Sequence, residues 1–284
     1  LNNPRHLVVH NGRLYVAEAG KGGAGPCPTG PEGPACFGTS GSVATVDHGK
    51  VRRVLTGLPS VAGPDGSSAG GPASVAFADG NLAVLLQDLN IDPVTGANPF
   101  GDITAYRGGF SVTDAAANDL LYVDRWGHIS VLAVFPAKMV LAPPQFRLPA
   151  GTKVPVQSVP TSVVVGPDGA LYVSELSIIP GSARVYRVVP GKAPKVYASG
   201  FTALTDLAFD SHGRLLTLSF ARESIIGPPS PGVLTRIERN GSRTVLASDG
   251  LESATGIAVS GDDVYLSNHG TSPGTGEILK LHLR

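Results

Sequence analysis

The chain has 284 residues, with Lys+Arg and Asp+Glu balanced at 22 each, only 15% charged residues, 37 Gly and 24 Pro. That balance argues against nucleic acid or a membrane surface as a partner, and no apolar run is long enough to cross a bilayer. High Gly and Pro content, with no helix-period stretch, points instead to many short strands joined by turns.

The first element pair covers residues 4–9 and 12–18, two β-branched, apolar runs around the turn signal Asn11-Gly12. It recurs at 72–77 with 80–85, and more weakly from Pro99 through 109–114. The fullest copy starts at Pro160 and has four runs, 160–165, 170–175, 184–189 and 194–200, separated by Gly/Pro/Asp turns. Further copies follow at 204–209 with 213–218 and at 254–259 with 264–268. One sheet of this kind cannot bury both faces alone. Its repetition predicts an all-β, six-bladed β-propeller with four-stranded antiparallel blades, forming a single domain over 1–284.

Two irregularities are expected. The copy at Pro72 leaves only residues 87–98 before the next, too few for two outer strands and a turn, so the second blade should be shortened. Other units end in a strand that leads through glycine into the next, as at Ala198-Ser199-Gly200-Phe201, whereas the last stops at 279–284. Residues preceding Leu1 are expected to supply the missing outer strand, leaving ring closure incomplete in this chain.

Cys27 and Cys36 are the only cysteines and bracket a Pro/Gly-rich segment. A disulfide, a pair of reduced thiols and a metal pair are all open, and the disulfide is favoured because two soft ligands alone make a poor zinc site. A disulfide implies an oxidising compartment, hence a secreted or extracytoplasmic protein, with no signal peptide in this chain.

In a four-stranded antiparallel blade, one side of the disc carries the first and third turns, which here are tight: Asn11-Gly12, His48-Gly49, Pro190-Gly191 and Asn240-Gly241. The long segments, 19–41, 59–71, 136–159, 220–232 and 269–276, fall on the other side, which is therefore the expected binding face. There Met139 and Phe146 offer an apolar wall, and Arg5, His6 and His269 stand at the mouth.

The second strands end on that face in Glu18, Gln87, Asp114, Glu175, Ser219 and Asn268, and the links into the innermost strands add Thr161, Ser162, Thr205 and Asp206. Glu18, Asp114, Glu175, Asp206 and Asn268 would suit Ca²⁺ or another divalent cation, though strand ends are also polar simply because they meet water. Asp88-Leu89-Asn90-Ile91-Asp92 spaces its oxygens like a calcium loop, but Pro93 and Pro99 stand where an EF-hand needs Gly and Glu. No nucleophile elbow, phosphate loop or zinc-helix His pair is present, so catalytic residues remain unassigned.

The stretches Leu1-Asn2-Asn3-Pro4-Arg5, 14–20, Cys27 through Gly38, Asp114 to Leu121 with its Ala-Asn-Asp-Leu-Leu run, 158–162 and Thr275-Gly276-Glu277-Ile278 resemble the ScyD/ScyE family of exported bacterial propellers. The resemblance implies export and the propeller fold, and little about activity. More broadly, the chain is similar to six-bladed senescence-marker/gluconolactonase-like propellers. In that group's hydrolases a Glu, an Asn and an Asp hold a divalent cation at the channel mouth, and Glu18, Asp206 and Asn268 match by type and strand-end position.

Two functions follow as expectations. One is a non-catalytic exported propeller, monomeric, binding a small molecule, glycan or protein partner through its loop-rich face, as an accessory to extracellular or secondary metabolism. The other is a metal-dependent lactonase or related hydrolase with its cation at the channel mouth.

Overall fold

The structure, a computed structural model, describes residues 1–30, 33–87, 101–225 and 230–283. Strands β1 (Pro4–His10) and β2 (Arg13–Glu18) form the first hairpin, and β3 (Thr29–Gly30) and β4 (Gly33–Pro34) a short ladder in the cysteine loop. With β5 (Cys36–Asp47) and β6 (Lys50–Ala62) the first sheet has the order β1-β2-β5-β6. β7 (Pro72–Ala78) and β8 (Asn81–Leu86) make a two-stranded sheet. β9 (Ile103–Tyr106), β10 (Gly109–Asp114), β11 (Asp119–Val123) and β12 (Ile129–Val134) make a four-stranded one.

Next comes a two-stranded arm, β13 (Lys138–Leu141) and β14 (Lys153–Val156), with a 3₁₀ turn at Pro144–Phe146 between them. Two more four-stranded sheets follow. One is β15 (Val159–Val165), β16 (Leu171–Leu176), β17 (Ala183–Val188) and β18 (Lys195–Phe201). The other is β19 (Leu204–Phe209), β20 (Leu215–Ser219), β21 (Val233–Ile237) and β22 (Arg243–Ala247). A three-stranded sheet ends the chain: β23 (Gly256–Ser260), β24 (Asp263–Asn268) and β25 (Glu277–His282).

The leading strands β1, β7, β9, β15, β19 and β23 pack against one another in that order, and β23 returns to β1. This closed array of antiparallel sheets is a β-propeller. Among the described residues five sheets have three or four strands, and the unit at Pro72, expected to be a shortened second blade of six, shows the β7–β8 hairpin, with residues 88–100 outside the described residues. The calcium-loop-like run 88–92 lies outside the described residues.

Local chemistry explains the hairpins. Asn11-Gly12, His48-Gly49, Asp79-Gly80 and Arg107-Gly108 all have positive φ at both central residues, the turn type whose twist matches that of the flanking strands. The strands then bury both faces against neighbouring sheets. Leu207, Leu215 and Ile237 of one sheet meet Tyr172, Val185 and Phe201 of the one before it, and Leu218 and Leu234 meet Ile257 and Leu266 of the one after. Side chains that fill these seams cannot also face the axis, which decides what the channel wall is made of.

The last sheet has three strands among the described residues, without the outer strand that residues preceding Leu1 were expected to supply, yet it packs against the first sheet. At the seam between β1 and β23, Thr255 Oγ1 donates to Pro4 O (2.7 Å), Ser267 Oγ to Arg5 O (2.6 Å), and Arg5 Nη1 to Gly270 O (2.9 Å). Gly256 permits this approach: a Cβ there would lie 2.5 Å from Arg5 O. Three of the segments expected to be long loops are also more ordered than their composition suggests. β5 and β6 extend to pair Cys36 with Ala62, and 136–159 contains the β13–β14 arm.

Candidate functional site

Two polar layers cross the axis near the starts of the leading strands. In the outer layer, each side chain reaches the chain entering a neighbouring sheet. Thr161 Oγ1 donates to Leu204 O (2.9 Å), Thr205 Oγ1 to Ala254 O (3.1 Å), and Arg5 Nη2 to Ala69 O (2.5 Å). These groups stitch the ring together. With Ala73, Gly101 and Thr255 they surround a throat of about 10 Å³, room for roughly one water.

One residue further along each strand lies the second layer: His6 on β1, Ser74 on β7, Asp102 before β9, Ser162 on β15 and Asp206 on β19. Asp102 Oδ1 accepts from Ser74 Oγ (2.6 Å) and Ile103 N (2.8 Å), and Oδ2 from Ser162 Oγ (2.9 Å) and Val163 N (2.8 Å). Asp206 Oδ1 accepts from Leu207 N (2.7 Å), while Oδ2 accepts from Ile257 N (2.7 Å) on β23. All six leading strands therefore contribute to one belt. His6 Nδ1 lies 3.0 Å from Ser74 Oγ, and its Nε2 lies 3.7 Å from Asp102 Oδ1 and from Asp206 Oδ2.

Ser162 Oγ stands 2.9 Å from Asp102 and 2.6 Å from Asp206 but carries one proton. It can donate to only one carboxylate, so the other contact is satisfied when Asp206 is itself protonated and donates to Ser162. Electrostatics agree. Burial, reinforced by Asp102 and opposed by His6, Ser162 and the Ile257 N–H, pushes Asp206 up to about 7. For His6, burial favours the neutral ring, but Asp102 and Asp206 outweigh it and raise its pKa. The belt thus sets a carboxyl and an imidazole, both raised from their ordinary values, beside each other at the axis.

Below the belt the axial channel widens to about 450 Å³, walled by residues such as Val8, Ala76, Thr104, Val164, Ala208 and Ala258. His6 lies at its floor, and His10 and Phe77, stacked with ring centroids 3.9 Å apart, lie at the far ends of their strands beside the tight turns. This described cavity is open toward the hairpin side of the disc, opposite the loop-rich face that the sequence singled out. The seams absorb the large side chains, so the wall is leading-strand backbone and small residues.

The sequence-derived donors do not meet at one point. Among the described residues, His6, Asp102 and Asp206 are the group able to share a metal, their ligand atoms all within 4.8 Å, and Asp206 alone of the five proposed oxygen donors belongs to it. Glu18 is fully buried and accepts from Asn2 N (2.9 Å), Ser42 Oγ (2.7 Å) and Arg53 Nη2 (2.9 Å). Glu175 is held by Ser158 Oγ (2.6 Å), Lys138 Nζ (2.6 Å) and Arg184 Nε (2.6 Å). Asn268 accepts from Glu252 N (2.7 Å) and donates to Gly250 O (2.9 Å), and Asp114 caps the N–H groups of Ala116 and Ala117 (both 3.0 Å).

Of the mouth residues, Arg5 is in the stitching layer and His6 in the belt. His269 sits 3.5 Å from both Glu252 and Glu277, and Met139 and Phe146 lie on the β13–β14 arm, outside the channel lining. Cys27 and Cys36 form a disulfide. Sequence reading missed Ser74 and Asp102. The pattern Asp102-Ile103-Thr104-Ala105-Tyr106 parallels Asp206-Leu207-Ala208-Phe209 and would have revealed the second acid, had the third copy been aligned on it rather than on Pro99.

No protein-family profile matches the chain, and no curated protein does. Solved structures do. A chain from a nidogen/laminin complex is 14% identical, with TM-score 0.54, over 88% of this chain and 89% of that one. The PQQ-bound aldose sugar dehydrogenase of Streptomyces coelicolor is 14% identical, with TM-score 0.53, over 99% and 94%. These likenesses show the propeller fold. A gluconolactonase-type structure at 13% identity has a TM-score of 0.42 and carries no argument about the site.

Proposed function

We propose that this is a secreted, ScyD/ScyE-type propeller, with β7–β8 standing as a reduced sixth blade, that binds a small neutral molecule of about monosaccharide size in its axial channel. The observation that carries this reading is the channel of about 450 Å³ with His6 at its floor, Asp102 and Asp206 lying behind it at the throat. Its volume lies within the roughly 300–1,000 Å³ of ordinary small-molecule sites. Apart from His6 and His10, its lining has no ionisable side chain, so a charged ligand would lose its hydration without a counter-ion on the wall. A neutral ligand with hydroxyl groups can bond to leading-strand backbone and to His6. The Cys27–Cys36 disulfide supports an oxidising location.

A second reading, a divalent-cation-dependent hydrolase, is favoured by the convergence of His6, Asp102 and Asp206 within 4.8 Å. Both Asp102 oxygens already accept two donors each, which leaves a cation little lone-pair density on that residue. If a cation binds, His6 Nε2 and Asp206 Oδ2 are the atoms left to hold it. The belt as built fits a shared proton better.

The test is a melting-temperature screen against neutral monosaccharides, disaccharides and lactones, with Ca²⁺, Mg²⁺, Mn²⁺, Zn²⁺ and EDTA in parallel. A ligand at 100 times its dissociation constant stabilises the fold by about 2.7 kcal/mol. A shift by a neutral compound that Ala105→Phe abolishes, by filling the channel, supports binding there. A shift by a cation alone, lost in Asp206→Asn, would replace this reading with the hydrolase.

A further inference from the structure

We propose that the β13–β14 arm docks the propeller on an anionic lipid surface. No residue from 136 to 157 is buried, although the segment holds Met139, Val140, Leu141, Phe146, Leu148, Val154 and Val156. Seven large apolar side chains without a core of their own need another surface.

The pairing register says which side needs it. Lys138 faces Val156, Met139 Pro155, Val140 Val154, and Leu141 Lys153. Side chains alternate across a ladder, so Met139, Leu141, Lys153 and Pro155 share one face and Lys138, Val140, Val154 and Val156 the other. The second face is the half-buried one, fastened where Lys138 Nζ reaches Glu175 Oε1 at 2.6 Å and Ser182 O. The first face is open: Met139 is 58% and Leu141 63% exposed, and Leu148 near the tip is 46% exposed.

Charge selects the occupant. The chain is neutral overall, yet it has no Asp or Glu between Asp124 and Asp168, and Arg147 and Lys153 flank the open apolar residues. Two copies of such an arm would bring like charges together, which argues against self-association. A bilayer with anionic headgroups offers acyl chains to Leu141, Phe146 and Leu148 and phosphates to Arg147 and Lys153, with the lysine stem lying along the apolar layer. The net balance of the sequence conceals this local excess.

The test is co-sedimentation of the intact chain with vesicles of phosphatidylcholine alone or of phosphatidylcholine with about one-third phosphatidylserine, whose anionic headgroups attract basic side chains. Binding to the anionic vesicles is expected, weakening with salt. L141D/F146D should lower it by about tenfold or more, and R147E/K153E by about fivefold per charge, with the salt dependence lost. Because these residues are outside the core, melting temperatures should stay at the wild-type value, which separates lost docking from lost folding. Three results would overturn the proposal: no sedimentation with anionic vesicles, equal sedimentation of L141D/F146D, or a wild-type dimer in solution that L141D/F146D converts to monomer.

Discussion

Glu175 and Asp206 are both buried acids near the same edge of the disc, yet the protein neutralises them by different means. Glu175, like Glu18, is met by permanent cations, Lys138 and Arg184 in one case and Arg53 in the other. Asp206 and Asp102 are met by backbone N–H groups, serine hydroxyls and one histidine. The first arrangement pairs opposite charges directly, whereas in the second burial raises Asp206 to about 7. A strand end paired with Arg or Lys is a rivet, whereas the axial belt holds its acids with neutral donors and one histidine at the head of the channel.

The comparison breaks most sharply at Asp102. Asp102→Ala should cost about 3–5 kcal/mol in urea unfolding, because it strands two hydroxyls and two N–H groups drawn from three strands at the axis. Glu175→Ala should cost less, about 2–3 kcal/mol, since Lys138 and Arg184 keep 17% and 15% exposure and can recover water. Equal losses would mean that the two classes of acid are not distinct.

The next expected effect is on pH dependence. A carboxyl held protonated to about 7 in the folded state, against 3.8 unfolded, binds more protons when folded between those values, so its contribution is lost as pH rises from about 4 to about 7. His6, also raised, acts in the same direction, its contribution being lost as pH rises above its ordinary 6.5. Lowered carboxylates such as Asp210, held by N–H groups and Arg214, act oppositely and only in acid. Unfolding free energy should therefore decline between pH 5 and 7, and Asp206→Asn should flatten that decline. An unchanged slope in the variant would remove the shared proton from the account of the belt.

The smallest effect is expected at the disulfide. C27S/C36S should cost about 2 kcal/mol at most, because Gly25 N to Phe37 O (2.9 Å), Phe37 N to Pro26 O (3.1 Å) and Ala35 N to Pro28 O (3.0 Å) already zip the loop. Calorimetry of the double variant would measure it. A loss larger than that of Glu175→Ala would make the cysteine loop, rather than the strand-end ion pairs, the stronger support of that face.

What could be read in the sequence was what local chemistry encodes. Asn11-Gly12 and His48-Gly49 announce their turns, and Glu18, Glu175 and Asn268 all stand at the ends of second strands, as their place in the repeat indicates. Their partners were not legible, because Arg53 and Lys138 lie 35 and 37 residues away along the chain. Asp102 was hidden by a third copy whose register follows Ile103, and the arm by Pro143, Pro144 and Pro149, which read as loop although the flanking runs pair. The hairpin face looked plain for a related reason: a channel wall of backbone leaves no motif.

The seam between β1 and β23 also has a kinetic meaning. Its hydrogen bonds join residues 251, 262 and 265 apart in sequence, so none can form before nearly the whole chain has been gathered. Ring closure is then a late event in folding, and until it occurs β1 and β23 remain open flanks on an otherwise assembled molecule. Thr255, by capturing Pro4, acts as the clasp that ends that vulnerable interval.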